Sequence, residues 1–127
     1  MNEPVWIEAS DALALHERLL SIHGGADGLR DLALLESALA RPRQLLAYAD
    51  KPDIVDLSAA YTFGVVRYHP FIDGNKRTGF VIGILFLELN GVVFTASEED
   101  AAQAVLQLAA SAIDEADYAA FLRRWSS

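Results

Sequence analysis

Apolar residues recur at helical spacing along most of the chain, and wherever a period exists it is close to 3.6 residues rather than 2. Leu13, Leu15, Leu19, Leu20 and Ile22 follow Ser10, a good capping residue, and stop at Gly24 and Gly25. This spacing predicts a first helix over Asp11 to His23. The stretch GGADGLRD, Gly24 to Asp31, has three glycines and no period, and reads as a mobile loop, a connector in preference to a flap. Asp31 caps a second predicted helix, Leu32 to Ala40, which Pro42 interrupts, with a short helical piece from Pro42 to Ala49 after it. Asp53 then caps the long apolar run IVDLSAAYTFGVVRY, which ends towards His69, where Pro70 forces an exit.

Ile72 to Asn75 has turn chemistry. A helix resumes at about Asn75 or Lys76 and runs to Leu89, closed by Asn90-Gly91, and it is apolar nearly all round. Such a pattern predicts a helix buried at the centre. Val92 to Phe94 reads as a short extended piece, Ser97 with Asp100 as a capping box for Glu98 to Ala110, and Asp114 as the cap of a last helix through Ala119, Phe121, Leu122 and Trp125. The predicted fold class is all-α, a compact single-domain bundle of about six helices spanning 1–127, a length that suits one core and not two.

Composition narrows the partners. The chain is 53% hydrophobic with four prolines and no low-complexity tract, so it is expected to fold by itself. Its longest apolar window, Phe80 to Leu87, stops at Glu88, short of the roughly 18 to 20 residues a membrane span needs. The start, MNEPVWIEAS, lacks a signal-peptide profile, so a cytoplasmic protein with no membrane partner is expected. Cysteine is absent, which excludes disulfides and thiolate metal sites. A net charge of −8 disfavours direct nucleic-acid binding, yet Arg67, Lys76 and Arg77 cluster in this acidic chain and leave room for a local anion site.

The chemistry concentrates in His69 to Phe80, HPFIDGNKRTGF. The free N–H groups and positive dipole end of a helix starting at Asn75 or Lys76 make an anion site, and Gly74 lets backbone approach a ligand closely. Lys76 and Arg77 in the first turn oppose the dipole unless an anion binds there. Asp73 beside a phosphate suits Mg²⁺, and His69 is the candidate general base, since an imidazole ordinarily titrates near neutrality. Each group also has an ordinary reading. A histidine before proline can simply end a helix, Asp-Gly is a common turn, and two cations can be solvated or paired with some of the eighteen acidic residues for little energy. Their coincidence within nine residues at a helix start favours the functional reading, nucleotide chemistry on a hydroxyl.

These residues resemble the signature of the Fic/Doc superfamily, H-x-F-x-D/E-G-N-G/K-R, and HPFIDGNKRT is similar to the lysine-bearing version of the Doc (death-on-curing) branch. Leu15-His16-Glu17 and Gly24-Gly25 before the motif, and Asn90-Gly91 after it, also look Doc-like. The resemblance implies that His69 deprotonates a target hydroxyl, Phe71 anchors the loop in the core, and Asp73 binds Mg²⁺. It further implies that Gly74, Asn75 and Lys76 build an anion hole and that Arg77 clamps a phosphate of ATP. It implies a toxin that phosphorylates a protein such as elongation factor Tu and is neutralised by a Phd-like antitoxin. Adenylylating Fic enzymes usually carry glycine at the position of Lys76 and a second arginine at that of Phe80, which points away from AMP transfer. Doc carries an asparagine where this chain has Val81, so adenylyl transfer and a non-catalytic nucleotide- or partner-binding module stay open beside phosphoryl transfer. Ser111 and Glu115 have the spacing of the self-inhibitory Fic helix, but Ala116 follows and Asp114 competes as a cap, so a plain helix start is expected there.

Overall fold

The computed structural model describes residues 3–127; Met1 and Asn2, with which the N-terminal stretch begins, lie outside the described residues. Six helices follow one another: α1 (Ala9–His23), α2 (Leu32–Tyr48), α3 (Ile54–Tyr68), α4 (Asn75–Leu89), α5 (Glu98–Ala109) and α6 (Glu115–Arg124). Among the described residues the β pairing is confined to two isolated antiparallel bridges, so the fold is all-α as the periodicity predicts. No helix among the described residues is long and apolar enough to cross a membrane.

Two expected boundaries move, each for a local reason. Asp11 reaches back to accept the Glu8 N–H at 2.8 Å, so α1 begins two residues early, with Glu8 as its cap and Ser10 inside the first turn. α2 runs unbroken through Pro42, where two pieces were expected. Proline removes the donor for the carbonyl four residues back, that of Ala38. At that point α3 comes in close: a Cβ built on Gly64 would lie 3.0 Å from Ala38 Cα and 3.1 Å from its carbonyl oxygen. Backbone against backbone, with Pro42 itself buried, holds a helix that propensity alone would break.

The central element is α3 rather than the helix after the motif. Ten of its fifteen residues are buried, and it packs against α2, α4, α5 and α6. Leu57, Tyr61 and Val65 on one side meet Leu35 and Leu39 of α2 and Ile82 and Phe86 of α4. Ala59 and Val66 on the other meet Val105 and Leu108 of α5 and Tyr118 and Leu122 of α6. Full burial of each such large side chain contributes about 1.5 to 3 kcal/mol before entropy is counted. Tyr61 also keeps its hydroxyl satisfied, accepting the Ile7 N–H at 2.9 Å.

The contact that positions the site is between α3 and α4. Ser58 and Thr62, one turn apart, donate their hydroxyls to the carbonyls of Gly83 and Gly79, both at 2.8 Å. A Cβ on Gly83 would run into the Thr62 hydroxyl, so only glycine permits this approach. The pairing fixes the register of the two helices, and with it the distance between the end of α3 and the start of α4. The expected extended piece at Val92 to Phe94 meets the C-terminus, where Val93 and Ser127 exchange N–H···O bonds, both at 2.9 Å.

Candidate active site

α3 ends in His69, whose φ of 51° and ψ of 56° are left-handed and turn the chain out of the helix before Pro70. The last-turn carbonyls are not left to water. Arg30 donates Nε to the His69 oxygen at 2.7 Å and Nη2 to the Tyr68 oxygen at 2.8 Å, which places a cation at the negative end of the dipole.

The loop between the helices is pinned from two sides. Phe71 is buried, its ring stacked on His16 with centroids 3.8 Å apart and planes 8° from parallel. Asn75 takes hold of the same residue's backbone, its Oδ1 accepting the Phe71 N–H and its Nδ2 donating to the Phe71 oxygen, each at 2.9 Å. On the outer side the segment Gly24 to Asp31 is tied to the motif rather than being a mobile loop. The Ile72 N–H donates to Gly28 at 3.0 Å, while the Arg30 and Asp31 N–H groups donate to Pro70 at 2.7 and 3.0 Å, making the Leu29–Phe71 bridge. Three glycines hid this pairing, because nothing in their local chemistry specifies a distant partner.

The N-terminus of α4 stays open. Its cap, Gly74, has φ 79° and no side chain, no side-chain acceptor caps the helix, and the first N–H to bond back is that of Thr78, to Gly74 at 2.9 Å. The N–H groups of Asn75, Lys76 and Arg77 are thus the orphan donors of this helix. They face a cleft of about 400 Å³ lined by His69, Ile72, Asp73, Gly74, Asn75, Lys76 and Arg77. Six sequence-derived site residues therefore share one cleft, with Phe71 fixed beneath them. Asn75 joins it through its backbone: its side-chain amide is spent on Phe71, which leaves its N–H for the cleft. Arg67 leaves the expected cation cluster altogether, its guanidinium bonding the Ser111 hydroxyl and facing the Phe63 ring. Glu115 pairs with Arg41, so neither Ser111 nor Glu115 lies in the cleft.

The Ala26 N–H, at 3.2 Å, and then the Gly74 N–H, at 2.8 Å, hold the Asp73 carboxyl below the usual carboxylate range, with Arg77 adding to them. Each backbone donor uses one lone pair of one oxygen, so both oxygens keep acceptor capacity. The described residues contain no cluster of three or more acidic, histidine or cysteine side chains able to hold a metal. A single ionised carboxylate fits magnesium that takes its remaining ligands from phosphate and water, as that ion prefers.

Two residues of the site carry little sequence signal. Arg30 is one arginine in a glycine-rich stretch, and only the tertiary structure brings it to the end of α3. His16 enters the sequence reading only inside Leu15-His16-Glu17, as part of the resemblance; that it is buried in α1 together with Ala12, one turn before it, is a finding of the structure.

Comparison with known proteins gives the family. The sequence model described as Fic/DOC family matches residues 6–87, from before α1 to near the end of α4, the whole of the loop included. "Protein kinase doc" of Escherichia phage P1 is 37% identical over 93 residues, 72% of this chain and 74% of that protein. "Toxin Doc" of Mycolicibacterium smegmatis (strain ATCC 700084 / mc(2)155) is 39% identical over 74 residues, 58% of this chain and 57% of that protein. On the extent of the family match and of these relationships, the chain belongs to the Fic/Doc family, in its Doc branch.

Proposed function

We propose that the protein is a Doc-type toxin that moves the γ-phosphoryl group of ATP onto a hydroxyl of a protein target. The observation that carries this reading is the open α4 N-terminus, where two cations, an ionised carboxylate and an imidazole line one cleft. In the proposed step His69 accepts the proton of the target hydroxyl as its oxygen forms a bond to the γ-phosphorus. The bond from that phosphorus to the bridging oxygen breaks, and ADP leaves. The N–H groups of α4, with Lys76 and Arg77, neutralise charge on the phosphate oxygens, the usual means of catalysis in phosphoryl transfer. Magnesium, held by Asp73 and the phosphates, would supply further charge neutralisation.

Lys76 bears on which phosphoryl group moves. It is the second residue of α4 and lines the cleft. A lysine there would compete for the space in which an α-phosphate settles over the N–H groups, which supports a pose delivering the γ-phosphate. The names of the two relatives, a protein kinase and a toxin, support the same assignment. The resemblance of the motif to Doc toxins extends the proposal to a translation factor such as elongation factor Tu as target, a cytoplasmic setting, and a small Phd-like antitoxin that silences the protein.

Label from γ-labelled ATP is expected to appear on a protein target in a cell extract and to fall by about 10²- to 10⁴-fold in His69→Ala, the usual weight of a general base. Label from α-labelled ATP should not transfer. The reverse result would make the protein an adenylyltransferase. No transfer of either label, with growth inhibition surviving His69→Ala, would leave a non-catalytic binding module.

A further inference from the structure

Of the three histidines, the fold buries only His16, which is 4% exposed. Its ring lies against Phe71, and its Nε2 stands 2.8 Å from the backbone oxygen of Asp73. A carbonyl oxygen only accepts, so Nε2 carries the hydrogen and donates it. On the other side of the same peptide unit, the Gly74 N–H donates to Asp73 Oδ1 at 2.8 Å. A trans peptide points its C=O and N–H in opposite directions, so these two bonds together specify one orientation. The oxygen faces the buried imidazole, and the N–H faces the cleft side, where the Asp73 carboxylate lies.

Gly74 does not itself fix this orientation. Turning the Asp73–Gly74 unit by half a turn changes ψ of Asp73 and φ of Gly74 together, and glycine moves from φ 79° to a negative φ as readily as it stays. The turned unit would present the Asp73 oxygen at the mouth of α4, where it repels an anion, and would strip Asp73 Oδ1 of a donor that helps keep the carboxylate ionised. Phe71 limits the tilt of the imidazole by stacking, and Asn75 holds the backbone of Phe71, so the donor itself is fixed from behind.

We propose that His16 is a positioning residue that locks the Asp73–Gly74 peptide in the orientation that leaves the α4 N-terminus open to a phosphate. It touches no substrate and acts through the loop. The consequence for binding rests on the proposed reading of the cleft as a phosphate site, whereas the lock itself does not.

His16→Phe keeps a flat ring for the stack and loses the donor, while His16→Gln keeps a donor. Crystal structures of both variants read the peptide orientation without any ligand, and calorimetry with magnesium and ATP reads the cleft. The expected result is a turned Asp73–Gly74 peptide and at least about tenfold weaker binding in His16→Phe, with native orientation and binding within about threefold of wild type in His16→Gln. A native peptide in His16→Phe, unchanged affinity with the peptide turned, or a glutamine variant that behaves like the phenylalanine one would each overturn the proposal. If wild type binds no ATP, the reading of the cleft fails while the crystal structures still decide the lock. Should His16→Phe not fold, imidazole nitrogen NMR of the wild-type protein decides it: a proton on Nε2 is expected, and a neutral ring protonated only on Nδ1 overturns it.

Discussion

The starts of α3 and α4 are built with opposite signs. At α3, Asp53 accepts the Asp56 N–H at 2.8 Å, Asp56 returns the contact to the Asp53 N–H at 3.0 Å, and Arg123 bridges both carboxylates. At α4 the cap is a glycine, the first residue turns its amide away to Phe71, and the next two are Lys76 and Arg77, where α3 has Val55 and Asp56. The chain closes one helix start with its own acids and leaves the other without a side-chain cap. A cation against the positive end of a helix dipole costs about 0.3 to 1 kcal/mol, so the arrangement at α4 gives up a little stability, which on the proposed reading a bound phosphate would offset.

That contrast can be broken most sharply at Arg77, the third residue of α4 and the counterpart of Asp56. Arg77→Asp supplies the missing first-turn acid, and is expected to weaken binding of magnesium and ATP by about 100-fold or more in calorimetry. The melting temperature of the same variant should hold or rise slightly, since the acid now favours the dipole. A loss of both stability and binding would mean that the N-terminus of α4 is not a reserved anion site.

The register that sets the two helices side by side is the next target. Gly83→Ala pushes a methyl group into the Thr62 hydroxyl and is expected to cost about 1 to 3 kcal/mol in denaturant unfolding. Gly64→Ala, whose methyl would meet the Ala38 backbone at 3.0 Å, should fall in the same range, since backbone cannot give way as a side chain can.

The smallest effect is expected at the closed end, and it depends on pH. Partial burial pushes the Asp53 carboxyl up, but the Asp56 N–H and then Arg123 outweigh it, and the net shift is downward. A carboxyl held below its unfolded value contributes stability that is complete above about pH 5 and is lost as pH falls through the folded-state value. Asparagine caps as well as aspartate, and the ion pair with Arg123 is half exposed and screened by water. Asp53→Asn should therefore lower the melting temperature near neutrality by the equivalent of only a few tenths of a kcal/mol, with the gap from wild type shrinking as pH drops towards 3. A gap that stays constant across that range would remove charge from the account and leave only the capping geometry.

The sequence by itself determined what local chemistry can fix. Asp31, Asp53, Ser97 and Asp114 were legible as caps because each satisfies an N–H three residues away, and His69 to Arg77 was legible as a candidate site because its groups are consecutive. The two histidines show where that legibility stops. His69 is exposed in a polar motif, whereas His16 sits in an apolar stripe and acquires a role only when α1 lays it beneath a loop fifty-seven residues on. Arg30 at the end of α3, the loop from Gly24 paired to the motif, the unbroken passage of α2 through Pro42 and the central place of α3 were likewise decided by tertiary structure. In each, a backbone group or a face finds its partner far along the chain, and local periodicity carries no record of that partner. Propensity chose the elements; packing chose which helix lies at the centre and which helix start stays open.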